Sequence, residues 1–382
     1  MAARRKSTIR PLDKETPVWP YAIPVLLILV GLAAVVAGGE LLVRGAAGLA
    51  RAIRVSPLVI GLTVVALGTS SPELAIVIRS SLEGRADLGV GNVVGSCIFN
   101  VLGVLGLSAL AAPLVVSRRL VRWDVPLMIA VSVLVWVFGL DRRLGRLDGA
   151  IFVTGLVLYL AWSIWESRQE QRAMAAQTDC PISEPRGRLE LPVCCLLMLL
   201  GLGLLTLGSR WLVDGSAEVA RGLGISELMI GLTILAVGTS LPEGAVSVMA
   251  AVRGQREIAV GNVVGSNLLN ILGVLGLTAL VSPRGVEMSP AALWFDVPVM
   301  IGVAIACLPI FFSGHRIARW EGALFLAYYF LYTAYLIMHA THSAIQRPFA
   351  VAVLGVLLPL TAVTLLVTAT RYWCSGRHGR AG

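Results

Sequence analysis

The residues able to do chemistry come in two matched sets. Glu73 closes the run Gly68-Thr69-Ser70-Ser71-Pro72-Glu73, and Glu243 closes Gly238-Thr239-Ser240-Leu241-Pro242-Glu243. Each carboxylate lies inside an otherwise apolar stretch. A charge at the centre of a bilayer costs about 2.5 kcal/mol or more, so such groups persist where they work. A structural Glu would need a basic neighbour. The nearest, Arg79, lies toward the end of the first stretch, and the matching position of the second is Met249. Thr69 and Glu73 are four apart and share a helical face, as do Thr239 and Glu243. Pro72 has no N–H and crowds the carbonyl of Gly68, and Pro242 does the same to Gly238. A helix should kink or break at each proline and free backbone carbonyls, which membrane depth tolerates only beside a cavity, water or an ion. Ser70 and Ser240 stand at the breaks, as further hydroxyl ligands or as caps of broken helix ends.

A second motif follows each first one. It reads Gly91-Asn92-Val93-Val94-Gly95-Ser96 up to Asn100, and again Gly261-Asn262-Val263-Val264-Gly265-Ser266 up to Asn270. The Gly-x-x-x-Gly spacing predicts close approach of another helix in both copies. Ser96 and Asn100 line one face, as do Ser266 and Asn270, and close packing would set them against the Glu-bearing helices. Asn92 and Asn262 fit either a helix start or a role in the site. The pooled donors are hydroxyl, amide, carboxylate and carbonyl oxygens. Hard oxygen sets select Ca²⁺, Mg²⁺ or Na⁺ over zinc or copper. A flexible cage of about six to eight oxygens suits Ca²⁺ better than Mg²⁺, which keeps its waters. Two carboxylates neutralise one divalent ion, and the same pair can instead hold Na⁺ or protons. Taking either but not both at once is what an antiporter needs. The cations are then cargo, and no resident cofactor is expected.

These sets must be positioned at membrane depth, and the composition says how. The 382 residues are 57% hydrophobic and 14% charged, where a soluble chain carries about 25% charged residues. Apolar runs of spanning length recur near 22–43, 57–78, 88–113, 123–140, 148–165, 191–213, 228–251, 258–281, 293–313, 320–338 and 348–371. The first follows the basic segment Arg4, Arg5, Lys6 and Arg10, yet shows no cleavage site and belongs to the repeat, so it reads as a span. The formal charge of +9 is mostly Arg at span ends. That placement indicates topology and lipid contact rather than nucleic acid. Lys and Arg divide almost evenly between the two sides and leave orientation open. The six Cys show no metal or redox spacing. No His-Glu-x-x-His occurs, and no span pairs Ser with His or Lys, which argues against an intramembrane enzyme. A multi-pass protein of the inner or plasma membrane is expected, as a monomer.

The two sets belong to one duplication. Residues 61–110 return as 231–280, displaced by 170 positions without a gap. Gly31, Gly38, Leu42 and Val43 match Gly201, Gly208, Leu212 and Val213 at the same offset. Asp124-Val125-Pro126 matches Asp296-Val297-Pro298 at 172. The unit is therefore about five spans, 22–166 and 191–338, joined by the polar segment 167–190. A five-span unit is odd, so the second copy enters the membrane from the other side. The halves must be inverted about an axis in the membrane plane. Residues 1–21 read as a tail, and 339–382 as an extra C-terminal helix with a tail. The expected fold is an all-α polytopic membrane protein of two inverted five-helix repeats plus one helix, ten or eleven spans in all.

Paired Gly-Thr-Ser-x-Pro-Glu and Gly-Asn-x-x-Gly-Ser motifs in inverted copies resemble the two alpha-repeats of the Ca²⁺/cation antiporter superfamily. The likeness is greatest to the prokaryotic branch of its sodium/calcium exchanger family, and it covers the ten duplicated spans. It implies Ca²⁺ exchange for Na⁺ at a mid-membrane site, with H⁺ coupling or K⁺ dependence as alternatives within the superfamily. It implies that Glu73 and Glu243 are the principal Ca²⁺ ligands. Thr69, Ser70, Thr239 and Ser240 would add oxygens for both ions. Ser96 and Ser266 would serve flanking Na⁺ sites, with Asn100 and Asn270 between them. The first and sixth spans would slide as gating helices. The chain departs from the archaeal members of that family at Asn270, where they carry Asp, and at Cys97, where its own second copy carries Asn267.

Overall fold

The computed structural model describes residues 22–83, 86–177, 190–283, 285–312 and 315–361. Among the described residues, the regular structure is helical apart from four two-residue strands. Repeat one contains α1 (Ala22–Ala52), α2 (Pro57–Thr69), α3 (Ser71–Leu82), α4 (Gly89–Ala111), α5 (Leu120–Asp141) and α6 (Arg146–Gln177). Repeat two contains α7 (Leu191–Gly222), α8 (residues 227–238), α9 (Leu241–Val252), α10 (Arg256–Val281), α11 (Ala292–Phe311) and α12 (Arg319–Ala340). A last helix, α13, covers residues 346–361.

Among the described residues, eight helices are long and apolar enough to cross a membrane unbroken. One further crossing, α2–α3, is broken, the repeat-related pair α8–α9 is broken at the matching place, and the prolines explain both breaks. Between α2 and α3 the axis turns by 45°. Ser70 leaves helical geometry there (φ −84°, ψ 4°), and Pro72 falls in the first turn of α3, where its missing N–H is harmless. Ser240 repeats this between α8 and α9 (φ −95°, ψ 10°). Of the ten expected crossings, eight whole helices and the broken pair α2–α3 are long and apolar enough among the described residues, and the shorter pair α8–α9 stands at the repeat-related place of α2–α3. The eleventh expected span is described only as far as Thr361. That part folds back along α12, where the Tyr328 hydroxyl meets the Leu357 carbonyl at 3.3 Å.

Two boundaries differ from the sequence reading. The first span does not end at Leu42–Val43 but continues as helix to Ala52, which places Glu40 inside α1. Helix α6 continues past Glu166 to Gln177. Its extension, Ser167 to Gln177, contains no Gly or Pro and consists largely of good helix formers, so nothing stops it. The tail 1–21 and residues 178–189 of the join lie outside the described residues.

The halves interlock about a two-fold axis. Helices α1 and α7 run antiparallel along their full length, and their seam is built on glycines seven apart. A Cβ placed on Gly31 or Gly38 would lie 2.8 Å from the carbonyl oxygen of Gly208 or Gly201, and the reverse distances are also 2.8 Å. The pair Gly31–Gly208 maps onto Gly201–Gly38 at the repeat offset, as a two-fold requires. Only glycine lets the two backbones approach this closely. Each repeat also lends its fifth crossing to the other: α12 packs on the end of α4, and α6 on the end of α10. Gly322 meets Gly106 in the first contact, and Gly149 meets Gly276 in the second. Short strands latch the loops across the halves. Strand β1 (Leu114–Val115) pairs with β4 (Arg316–Ile317), and β2 (Arg143–Leu144) with β3 (Val286–Glu287), both antiparallel. The centre of the bundle is α4 and α10, the two most buried spans.

Candidate cation site

The two breaks meet at the centre. Ser70 Oγ donates to Glu243 Oε1 at 3.1 Å, and Ser240 Oγ lies 3.5 Å from Glu73 Oε1. Each carboxylate is therefore held by the break serine of the opposite repeat. Ser240 Oγ also lies 3.0 Å from Ser96 Oγ, which ties α4 to the same point. Helix α3 packs against the turn that carries Asn270, and α9 against the turn that carries Asn100. Both turns are π-helical, Asn100–Leu105 and Leu269–Leu275, as are Gly61–Val65 and Gly231–Leu235 earlier in each repeat. Wide turns of this kind misalign backbone bonds and recur at functional sites.

All ten sequence-nominated residues lie in this region, and all but Thr239 are buried. Six of them present a buried oxygen that no protein group satisfies: Glu73 Oε2, Glu243 Oε2, Thr239 Oγ1, Asn100 Oδ1, Ser266 Oγ and Asn270 Oδ1. Leaving a buried polar atom unpaired costs about 1–3 kcal/mol. Six such oxygens in one region mean that something outside the chain's own hydrogen bonding is meant to satisfy them. The donor set is hard and holds two carboxylates. Among the described residues no group of three or more His, Cys, Asp or Glu assembles, which leaves no softer metal centre in competition.

Four residues outside that set of ten, Asn262, Ser247, Asn267 and Cys97, join the network. Asn262 Nδ2 donates to the Glu243 carbonyl at 3.2 Å and to Ser247 Oγ at 3.0 Å. Its Oδ1 accepts from Thr69 Oγ1 at 3.3 Å. Its repetition at positions 92 and 262 was the available signal. Asn267 Oδ1 accepts from Asn100 Nδ2 at 3.2 Å, and Asn267 Nδ2 donates to the Cys97 carbonyl at 3.3 Å. The mirror of the Asn100–Asn267 bond would join Asn270 to position 97. Cys97 has no amide to offer, and both amide atoms of Asn270 are left without a partner. The repeat-to-repeat mismatch at Cys97 thus directly explains why Asn270 is the most under-satisfied side chain of the site.

The halves are not in the same state. Gly261, Asn262 and Gly265 are buried, and the start of α2 closes over them. A Cβ on Gly265 would lie 2.5 Å from the Leu62 carbonyl oxygen, and one on Gly261 would lie 2.7 Å from that of Leu58. The mirror contact is not made. Gly91 is exposed, Asn92 and Gly95 are half-buried, and no described atom lies within 4 Å of a Cβ built on either glycine. The expectation of close packing at both Gly-x-x-x-Gly surfaces therefore holds only for the second copy. The reason is that residues 227–235 lean on α7 and α12 rather than on α4. The hydrogen bonds follow suit. Thr69–Asn262 is formed, while Thr239 Oγ1, its mirror donor, has no partner, and neither has Asn92 Nδ2, the counterpart of the Asn262 Nδ2 that bonds Ser247 and the Glu243 carbonyl. The site is shut on the side where α1 ends and loosened on the side where α1 begins.

The repeated Asp124 and Asp296 sit outside the site. Tyr159 donates to Asp124 at 2.9 Å, and Tyr332 donates to Asp296 at 3.0 Å, so each joins the fourth crossing to the fifth. Arg119 completes the first cluster, 3.5 Å from Asp124 and 3.4 Å from Glu166.

Comparison with known proteins agrees with this architecture. A family model described as sodium/calcium exchanger protein matches residues 23–165 and 194–338, the two repeats. The inner membrane protein YrbG of Escherichia coli is 40% identical over 283 residues, 73% of this chain and 86% of its own. The sodium/calcium exchanger MaX1 of Methanosarcina acetivorans is 34% identical over 337 residues, 80% of this chain and 95% of its own. The solved sodium–calcium exchanger NCX_Mj, soaked with zero Na⁺ and Ca²⁺, superposes with a TM-score of 0.70 at 30% identity, covering 82% of this chain and 98% of that one. With the repeats matched in full and the fold shared, the chain belongs to the sodium/calcium exchanger family and is a multi-pass antiporter of that family.

Proposed function

We propose that this protein moves Ca²⁺ across the inner or plasma membrane in exchange for Na⁺, as a monomer, by alternating access to one central site. The observation that carries the reading is the set of six unsatisfied buried oxygens shared between two inverted repeats. Glu73 and Glu243 are the charge-bearing Ca²⁺ ligands. Thr69, Ser70, Thr239 and Ser240 contribute hydroxyl or backbone oxygens at the two helix breaks. Ser96 and Ser266 serve the flanking Na⁺ positions, with Asn100 and Asn270 at the centre between them. Two carboxylates match one Ca²⁺ in charge, so the loaded site is near neutral and can cross the barrier between states. Na⁺ competes for the same oxygens, which makes transport an exchange. No catalytic residue is involved.

Purified protein in proteoliposomes should take up radiolabelled Ca²⁺ under an imposed Na⁺ gradient. If uptake follows a pH gradient and ignores Na⁺, the Na⁺-coupled form is wrong and H⁺/Ca²⁺ antiport replaces it. That second reading is favoured by one observation, the amide at position 270 in place of a carboxylate. Asn270→Asp places a third carboxylate beside Glu73 and Glu243. It should change the Na⁺ or pH dependence of exchange by several-fold. A variant with unchanged dependence on both would remove position 270 from the site.

A further inference from the structure

We propose that two mirror-related ion pairs, Glu40–Arg253 and Arg210–Glu83, are positioning pairs that hold alternate sides of the transporter shut. The proposal rests on the alternating-access reading above but on none of the cation ligands.

Glu40 lies within α1, and Arg253 caps the end of α9. Glu40 Oε2 accepts from Arg253 Nε at 2.6 Å, and its Oε1 accepts from Arg44, so one carboxylate is clamped between two arginines. The Glu40 side chain is only 15% exposed. The bridge joins the first crossing of repeat one to the end of the second crossing of repeat two, on the side where α1 ends.

The repeat offset of 170 maps Glu40 onto Arg210, Arg253 onto Glu83, and Arg44 onto Asp214. Every sign is reversed. The first crossing of repeat two thus carries the arginine, and the second crossing of repeat one ends in the glutamate. Complementarity has survived the reversal, so an ion pair is encoded on both sides of the membrane.

Only one of the two is made. Glu83 is engaged by Arg79 of its own helix at 2.8 Å, and Arg210 is exposed and makes no ion pair with Glu83. The made pair lies on the side where α2 closes over Gly261 and Gly265. The unmade pair lies on the side where Gly91 is exposed. A static staple would be formed on both sides. A pair present on the closed side and absent on the open one is what a latch requires. A half-exposed bridge contributes a bias of a few-fold rather than a lock, which suits a transporter that must turn over.

Two measurements test this. The first is side-resolved Ca²⁺ half-saturation in oriented vesicles. Glu40→Gln should lower it about two- to fivefold on the side where α1 ends and raise it on the other. Arg210→Gln should do the reverse, and the triple swap Glu40→Arg, Arg44→Asp and Arg253→Glu, which reproduces the charges of the mirror set Arg210, Asp214 and Glu83, should restore wild-type values. Parallel shifts on both sides, or no rescue by the swap, would overturn the latch. The second needs no transport. Oxidative crosslinking of Glu83→Cys to Arg210→Cys, read as the crosslinked peptide by mass spectrometry, should rise several-fold when Glu40→Gln is added. An unchanged or lower yield also overturns the proposal. Because this readout is independent of the cation, failure of the exchange reading would leave it intact and be recognised separately.

Discussion

Glu73→Gln abolishes Ca²⁺ exchange, and Glu243→Gln does the same, with at least an about 100-fold loss of uptake in each. The argument is one of charge rather than shape. Gln keeps an acceptor for Ser240 or Ser70, so the cross-repeat hydrogen bonds at 3.5 Å and 3.1 Å survive. What is lost is half of the charge that faces the ion at a fully buried position. Removing one partner of a buried charge interaction costs about 3–5 kcal/mol, which is a factor of roughly 10² to 5 × 10³ in binding. The fold should be untouched, because the glycine seam, the strand latches and the exchanged fifth crossings do not involve either residue. Size-exclusion profiles in detergent should therefore match the wild type while vesicle uptake is lost. Near-normal uptake in both variants would refute the assignment of the site.

Gly95→Ala stops turnover while leaving the protein folded and able to bind Ca²⁺. This substitution is innocuous in the structure itself, where no described atom lies within 4 Å of the added Cβ. Its mirror position shows the danger. At Gly265 the same Cβ would lie 2.5 Å from the Leu62 carbonyl oxygen, a distance backbone cannot accommodate. If the halves exchange states, Gly95 must pass through that contact with the start of α8, and alanine blocks it. An about tenfold or larger drop in exchange, with Ca²⁺ binding retained by calorimetry, is expected. Gly265→Ala should instead pry open the side that is now shut. Wild-type exchange by Gly95→Ala would show that the second state does not reuse this contact.

The candidate site was unusually legible in the sequence because duplication supplies an internal control. Comparing two copies picked out Glu73 and Glu243 without any other chain for reference. The prolines foretold the helix breaks, since a missing N–H and a ring clash act locally. Asn262 and Asn267 were less legible. Asparagine serves equally as a helix start, as packing glue or as a ligand support, and only its partners decide which. Thr69 and Ser247 supply that answer for Asn262. Glu40 was misplaced at a span end because hydropathy falls off before helical geometry does. Its partner, Arg253, is 213 residues away.

The sequence by itself indicated the repeats, their inverted relation and the oxygen-donor set of the candidate site. Those follow from periodicity, from the parity of five crossings and from residue type. It did not contain the state of the molecule. Two copies with the same motifs encode two mirror arrangements, and the motif residues around Gly95 and Gly265, or Asn92 and Asn262, are the same. Tertiary packing made that choice, by seating the start of α2 on α10 and leaning the start of α8 on α7 and α12. The same packing formed the Glu40–Arg253 pair and left Arg210 and Glu83 apart, because a side chain can bridge only to a helix that has moved within reach.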